Sequence, residues 1–220
     1  MSGIEAYVTR AMRLDSQRLD VHAQNLANAD TPGFCRMMLL ARSGGAQLVV
    51  DQTPGPVTPV VDPMQVAING NGWLAVSNGR ATELTRTGDL MRGADGLLHT
   101  RHGETVLGQN GPIKIGTGAV DFKADGSVWQ NGSSVGRMQV VVPSDPSSLR
   151  AVGDGYYTAS GVKQASATVV KGAREASNVD EVSEVTGLIH ATSFFQIAQK
   201  VVLTGDDANK KLTDDVGRTR

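Results

Sequence analysis

The stretch that most constrains this 220-residue chain is residues 16–34, SQRLDVHAQNLANADTPGF. It continues a rhythm that begins near the N-terminus. Ile4, Tyr7, Ala11, Leu14, Arg18, Val21 and Asn25 recur at alternating spacings of three and four, which predicts a helix with a coiled-coil-like seam rather than a strand. The seam starts apolar and ends in amides, with Arg18, Asn25 and Asn28 on the side expected to meet a neighbour. Polar seam residues lower stability but fix register and partner number. Asp30-Thr31-Pro32-Gly33 then ends the helix, because Pro32 disfavours helical geometry at Thr31 and Gly33 accepts almost any turn. A short helix with amides on its packing face is weakly specified alone, so the stretch predicts a partner.

Texture divides the rest of the chain. Residues 1–34 form the first helix and its stop. Residues 35–64 contain Pro54, Pro56, Pro59 and Pro63 and predict an extended linker with little regular structure. Residues 65–177 are short alternating runs punctuated by Asn-Gly or Asp-Gly pairs at 69–70, 71–72, 78–79, 95–96, 110–111, 125–126, 131–132 and 154–155. Such pairs supply the positive φ of tight turns, so their density predicts a meandering antiparallel β domain, with residues 66–68 turning through 69–72 into 73–76 as a hairpin.

From Asn178 the helical period returns through 178–220, with Asn178 or Asp180 as the cap and Glu181 and Glu184 in the first turn. Val185, Leu188, Thr192, Phe195, Gln199 and Val202 make one seam; His190, Phe194, Ile197 and Val201 make a second stripe. A surface helix normally carries a single apolar stripe, so two imply burial on two sides. The expected fold class is α+β: a mostly antiparallel β domain inserted between N- and C-terminal helices that pair in a helical assembly module.

Bulk properties exclude several roles. The net charge is −1 and no run of five basic residues occurs, against a nucleic-acid or anionic-membrane surface. Apolar runs are a few residues long, so direct membrane insertion is not expected. MSGIEAYVTR has no basic segment leading into an apolar stretch, so no cleavable secretion signal is expected. Cys35 is the single cysteine, which rules out an internal disulfide.

Three motifs imitate active sites. Gly132-Ser133-Ser134-Val135-Gly136 fits a nucleophile elbow, but it follows a turn signal and leads into a strand-like run, with no helix to raise the serine. Gly70-x-Gly72-x-x-Ala75 fits a dinucleotide fingerprint, yet the next turn signal at Asn78 leaves no room for the helix that binds pyrophosphate. His99 and His102, three apart on a strand, face opposite sides and rarely share a metal. Cys35 beside Arg36 is expected to be a linker cysteine without a role. No catalytic, cofactor-binding or metal-ligating set is expected, and the chain reads as a non-enzyme.

The order of these pieces also resembles a known family. Gln24-Asn25-Leu26-Ala27-Asn28-Ala29-Asp30-Thr31-Pro32-Gly33-Phe34 is similar to the N-terminal signature of bacterial flagellar rod and hook proteins. Val66-Ala67-Ile68-Asn69-Gly70-x-Gly72-Trp73, Thr85-Arg86-x-Gly88 and Val106-Leu107-Gly108 resemble their shared β domain. Ser177-Asn178-Val179-Asp180, Leu188-Ile189-x-Ala191 and Lys200-Val201-Val202-Leu203-Thr204 resemble their C-terminal segment. One compact β domain in a short chain is most like the proximal rod branch. The resemblance implies a structural subunit of the basal-body rod. It would be exported through the flagellum's own secretion apparatus to the periplasmic space, and would polymerise with copies of itself and other rod proteins into a hollow shaft that transmits torque. The assembly interface implied is Ile4, Tyr7, Ala11, Leu14, Arg18, Val21, Asn25, Leu26, Asn28, Thr31, Pro32, Gly33 and Phe34. From the C-terminal segment it takes Val185, Leu188, Ile189, Thr192, Phe194, Phe195, Ile197, Gln199, Val201 and Val202. The alternative from the residues alone is a soluble β-rich binding module with dimerising helical ends, which would lack a concentration-dependent gain in helicity.

Overall fold

The computed structural model describes residues 3–42 and 45–218, the side chains of 3–6, 41, 42, 206, 208, 209 and 212–218 excepted. Two compact units emerge. One comprises residues 1–27, 39–47 and 180–220; the other comprises 28–38 and 48–179.

The first unit contains two long helices, α1 (Gly3–Ala27) and α2 (Glu181–Arg218). Asp180 caps α2 by accepting the Ser183 N–H at 2.8 Å, and Glu181 and Glu184 stand in the first turn, where the helix dipole favours acids. Asn178, the other expected cap, is used elsewhere. His22 lies beside Glu184 and Gly187, while Asp15 shares a cavity with Ala191 and Phe194, so the helices run antiparallel. No helix among the described residues is long and apolar enough to cross a membrane.

The second unit is built from antiparallel strands, as the turn dipeptides predict. Its main sheet runs Arg150–Gly153, Tyr156–Thr158, Thr82–Thr85, Trp73–Ser77, Thr105–Gly108, Leu98–Thr100, Leu90–Arg92, with Val140–Pro143 also paired to Trp73–Ser77. Val120–Phe122, Ser127–Gln130 and Ser133–Arg137 make a separate three-stranded sheet. At Asn131-Gly132 and Asp154-Gly155 both turn residues have positive φ (50° and 79°, 50° and 77°), which matches a two-residue hairpin turn to the twist of its strands.

Alternation along the central strands feeds two cores at once. Leu74, Val76, Val140 and Tyr156 point into one, with Ile68, Leu98, Val106, Phe122 and Val128. Trp73, Ala75, Val141 and Tyr157 point into the other, with Cys35, Leu84 and Leu149. Side chains on a strand alternate faces, so this sheet is buried on both sides. Trp73 and Tyr157 meet edge to face, ring centroids 4.8 Å apart.

Two expectations are corrected. Residues 66–76 do not make a hairpin: Val66–Asn69 pairs with Thr168–Lys171, while Trp73–Ser77 joins the main sheet. The turn between them is a corner, because Arg86 takes the carbonyls of Ile68, Gly70 and Gly72. Residues 35–64 also hold more regular structure than an extended linker. Met37–Arg42 pairs with Gly45–Val50, and Val57–Pro59 pairs with Ala173–Glu175.

Candidate functional site

Within the helical unit, each helix turns one row of side chains inward. On α1 this row is Val8, Met12, Asp15, Leu19, His22 and Leu26, of which Asp15 is fully buried and the others partly. On α2 it is Glu184, Leu188, Ala191, Phe195, Ala198 and Val202. Both rows alternate spacings of four and three, the rhythm of a coiled-coil seam. Small residues at Gly187, Ala191 and Ala198 allow close approach. A Cβ at Gly187 would stand 2.4 Å from the His22 ring, so the glycine that weakens this helix locally is what lets the two helices meet.

The contact is also polar at one point. Glu184 is wholly buried, and its Oε2 lies 2.6 Å from His22 Nδ1 and accepts the Asn25 side-chain amide at 3.2 Å. Asn25 is itself fully buried. Such a network, satisfied from both helices, selects one register because sliding either helix would strand a buried carboxylate.

The seam predicted for α1 is the inward row displaced by one residue. Tyr7 is 76% exposed and Arg18 is exposed; Ala11, Leu14 and Val21 are half-buried; Asn25 alone is fully inside. The Ile4 side chain lies outside the described residues. On α2, Leu188, Phe195 and Val202 of the predicted seam face inward. Val185, Thr192 and Gln199 are exposed one residue further round, on a flank shared with Ile189, Gln196 and Leu203. His190, Phe194, Ile197 and Val201 occupy the opposite flank, also exposed. At 100° per residue these are two separate stripes, one on each side of the buried row. Val185, Ile189, Phe194, Ile197, Val201 and Leu203 leave between 42% and 64% of their surface in solvent, a large apolar exposure for a helix already paired on its third face.

A cavity of about 280 Å³ opens on the second flank, between Asp15, Arg18 and His22 of α1 and Gly187, His190 and Phe194 of α2. Arg18 Nη1 donates to Asp15 Oδ1 at 3.0 Å; Asp15 Oδ2 is buried and has no hydrogen-bond partner.

The helix stop belongs to the β unit, where it is held by Glu175, which the sequence reading did not select, and by Asn178, which it read as a helix cap. Thr31 N–H donates to Asn28 O at 3.0 Å and Phe34 N–H to Thr31 O at 3.2 Å, forming the turn around Pro32. Gly33 has φ +69° and packs so tightly that a Cβ would lie 2.5 Å from Thr87 N. Its N–H donates to Glu175 O at 3.0 Å. Asn178 fastens the same region. Its Oδ1 accepts the Arg36 N–H at 2.6 Å, its Nδ2 donates to Asp51 O and Thr53 O at 3.1 and 2.7 Å, and its N–H donates to Phe34 O at 3.4 Å. Cys35 is no linker cysteine: it is 2% exposed in the second core, its N–H donates to the Tyr157 hydroxyl at 2.8 Å, and burial pushes its thiol up to about 12. A signal for Asn178 existed in the family-like string Ser177-Asn178-Val179-Asp180, but nothing local gave its partners or pointed to Glu175.

The enzyme-like motifs dissolve into this framework. Ser133 and Ser134 lie in a strand paired with Ser127–Gln130, without a following helix. Gly70–Gly72 leads into the strand Trp73–Ser77. His99 bonds Asp95 and lies near Gly103 O, while the His102 ring packs on Tyr156. Among the described residues, no three metal-ligating side chains gather.

Two paired terminal helices and an inserted antiparallel β unit make up the architecture, and comparison with known proteins gives its class, the rod and hook proteins of the flagellum. Residues 9–34 match the family model described as "Flagella basal body rod protein", 67–159 the "Flagellar hook protein FlgE/F/G D1 domain", and 170–214 the "Flagellar basal body rod FlgEFG protein C-terminal". The chain is 30% identical over 236 residues to the flagellar basal-body rod protein FlgF of Caulobacter vibrioides, covering 96% of each. It is 31% identical to FlgF of Escherichia coli, over 90% of this chain and 92% of that one. FlgG of Bacillus subtilis is 27% identical, with coverage of 90% and 92%. The chain belongs to the flagellar basal-body rod protein family. Within that family it is FlgF-like, a structural subunit of the basal-body rod and a component of motility.

Proposed function

We propose that this chain polymerises through α1 and α2, with copies of itself and other rod proteins, into a hollow axial shaft that transmits torque. The observation that carries the reading is the pair of exposed apolar stripes on α2, Val185 and Ile189 on one flank and Phe194, Ile197 and Val201 on the other. Exposed apolar area of this kind marks a surface that meets protein. Neighbouring helices would cover both stripes, and burying the half of each side chain still exposed contributes roughly half of the 1.5–3 kcal/mol that full burial gives. Assembly thus offsets the ordering cost of long terminal helices that are marginal alone. The β unit, with two cores, supplies a rigid body for the shaft. The chain reaches the periplasmic space through the flagellum's own secretion apparatus, and it has no catalytic role.

The test is electron microscopy of basal bodies from cells carrying Ile197→Asp. A normally secreted chain with no rod beyond this subunit is expected. Complete rods containing the variant would overturn the proposal, since the charge would then sit harmlessly on a surface that never meets a neighbour.

A further inference from the structure

The helical unit carries three seams, one of them occupied. Glu184, Leu188, Ala191, Phe195, Ala198 and Val202 face α1. Displaced forward by one residue, Val185, Ile189, Thr192, Gln196, Gln199 and Leu203 repeat the same spacing, beginning and ending apolar with amides between. Displaced backward, His190, Phe194, Ile197 and Val201 do so too. The cavity joins this backward row to Arg18 of α1, so the predicted seam of α1 and the second stripe of α2 lie on one face of the unit.

That face has an unmet requirement. Asp15 is 2% exposed, and its Oδ2 has no hydrogen-bond partner although the residue lines the cavity. A buried acceptor left unpaired costs about 1–3 kcal/mol. The remaining lining is Ala191, the Phe194 ring and the rings of His22 and His190, with no side chain at Gly187. The occupant that fits is an apolar seam carrying a neutral donor. A second cation is disfavoured because Arg18 already donates to the other oxygen of Asp15 at 3.0 Å. The opposite flank of this same unit has that composition: aliphatic Val185, Ile189 and Leu203 with the exposed carboxamides of Gln196 and Gln199. The Thr192 hydroxyl on that flank is already used, donating to Leu188 O at 2.8 Å, which leaves the glutamines as donors.

We propose that the cavity beside Asp15 is the receptor for the glutamine-bearing flank of a second copy of this chain, with a Gln196 amide donating to Asp15. The inference rests on the proposed polymerisation and deepens it. The two mating surfaces are different and lie on opposite flanks, so the contact is heterologous. A contact of that type does not close as a two-fold dimer but runs on into a ring or an open helix. A polar residue at such a seam position also fixes the register of successive copies.

The test is disulfide trapping in isolated basal bodies, using the full-length chain with His190→Cys and Gln199→Cys together, which keeps the Gln196 amide. Both sites are exposed, and Cys35 is buried, so the fold and the background thiol are undisturbed. Nine residues apart on one helix, about 14 Å along its axis, the two cannot bond within a chain. Oxidation should give a ladder of this chain beyond the dimer, while either single variant stays monomeric. Dimers from His190→Cys alone would show the face meeting itself and overturn the proposal. So would linkage to a different rod protein, or no linkage in complete rods that contain the variant. Complete rods that lack this chain would remove the polymerisation reading as well, which separates the two failures.

Discussion

Arg86 Nε donates to Glu175 Oε1 at 2.6 Å, and the two side chains expose 0% and 2% of their surface. The rest of the guanidinium takes the carbonyls of Gly72, Ile68 and Gly70 at 2.7, 3.2 and 3.3 Å, and its carbon lies 5.7 Å from the centre of the Trp73 ring. Glu175 Oε1 also accepts the Gly55 N–H at 3.0 Å. One buried ion pair thereby holds a corner of the β unit and a strand that arrives 89 residues later.

Breaking one partner of a buried pair leaves an uncompensated charge and typically costs about 3–5 kcal/mol. Arg86→Ala should lower the stability of the β unit by about that amount in urea unfolding followed by tryptophan fluorescence. Arg86→Lys should recover little, because an ammonium cannot span a carboxylate and three carbonyls with a fixed planar fork. A loss below about 1 kcal/mol for Arg86→Ala would show that the pair is not the fastening it is taken to be.

Gly187 and Gly205 of α2 predict opposite outcomes. A Cβ at Gly187 meets the His22 ring at 2.4 Å, whereas at Gly205 it meets nothing within 4 Å. Gly205→Ala should therefore raise helicity, with a gain of roughly 1 kcal/mol from helix propensity. Gly187→Ala gains the same propensity but must push the helices apart, so it should weaken their pairing and the protection of amides in α1. Equal circular-dichroism gains for both would contradict the close approach.

Cys35 gives a pH dependence with a definite sign. Burial is the largest cause that raises its thiol from 9.0 to about 12, with Arg86 opposing and Glu175 adding. The unfolded chain therefore releases this proton at lower pH than the folded one. The stabilising difference is intact below about pH 9 and is lost as the pH rises toward 12. Iodoacetamide at pH 8.5 should leave the native thiol unmodified and label it in urea. Rapid labelling of folded protein would place Cys35 outside the core.

Phe195 and Ile197 separate pairing from assembly. Phe195 lies on the inward row and Ile197 is 62% exposed. Phe195→Asp should loosen α1 from α2 and lower helicity in the isolated chain. Ile197→Asp should leave the isolated chain's spectrum unchanged and act only when copies meet. Identical losses of monomer helicity would mean that the two residues share one environment.

What the sequence makes legible is what neighbours along the chain decide. Asn131-Gly132 and Asp154-Gly155 announce their hairpins because the turn geometry needs both positive φ values locally. The helices are legible from period and from the stop at Pro32. Partners far along the chain are hidden. Residues 69–72 look like a hairpin turn until Arg86 is seen taking their carbonyls, and Val57–Pro59 looks like proline-rich linker until Ala173–Glu175 pairs with it. The α1 seam illustrates the subtler limit. A 3–4 apolar rhythm is nearly as good when shifted by one residue, and Asp15 and His22 disguise the inward row because their polar side chains argue for solvent. The burial of His22 becomes understandable with Glu184 and Gly187 across from it.

The four hydrogen bonds of Asn178 have a consequence for how such proteins diversify. They tie Phe34 and Arg36, where the chain comes into the β unit, to the residue where it departs. With its two feet fastened side by side, the stretch 48–177 of the unit is topologically an insertion, and it can lengthen, shorten or be exchanged without displacing either foot. Size and surface are free to drift in the inserted part while the helical ends keep their footing. A rod protein can in this way change the size of one unit while the two chain segments that enter and leave it stay as they are.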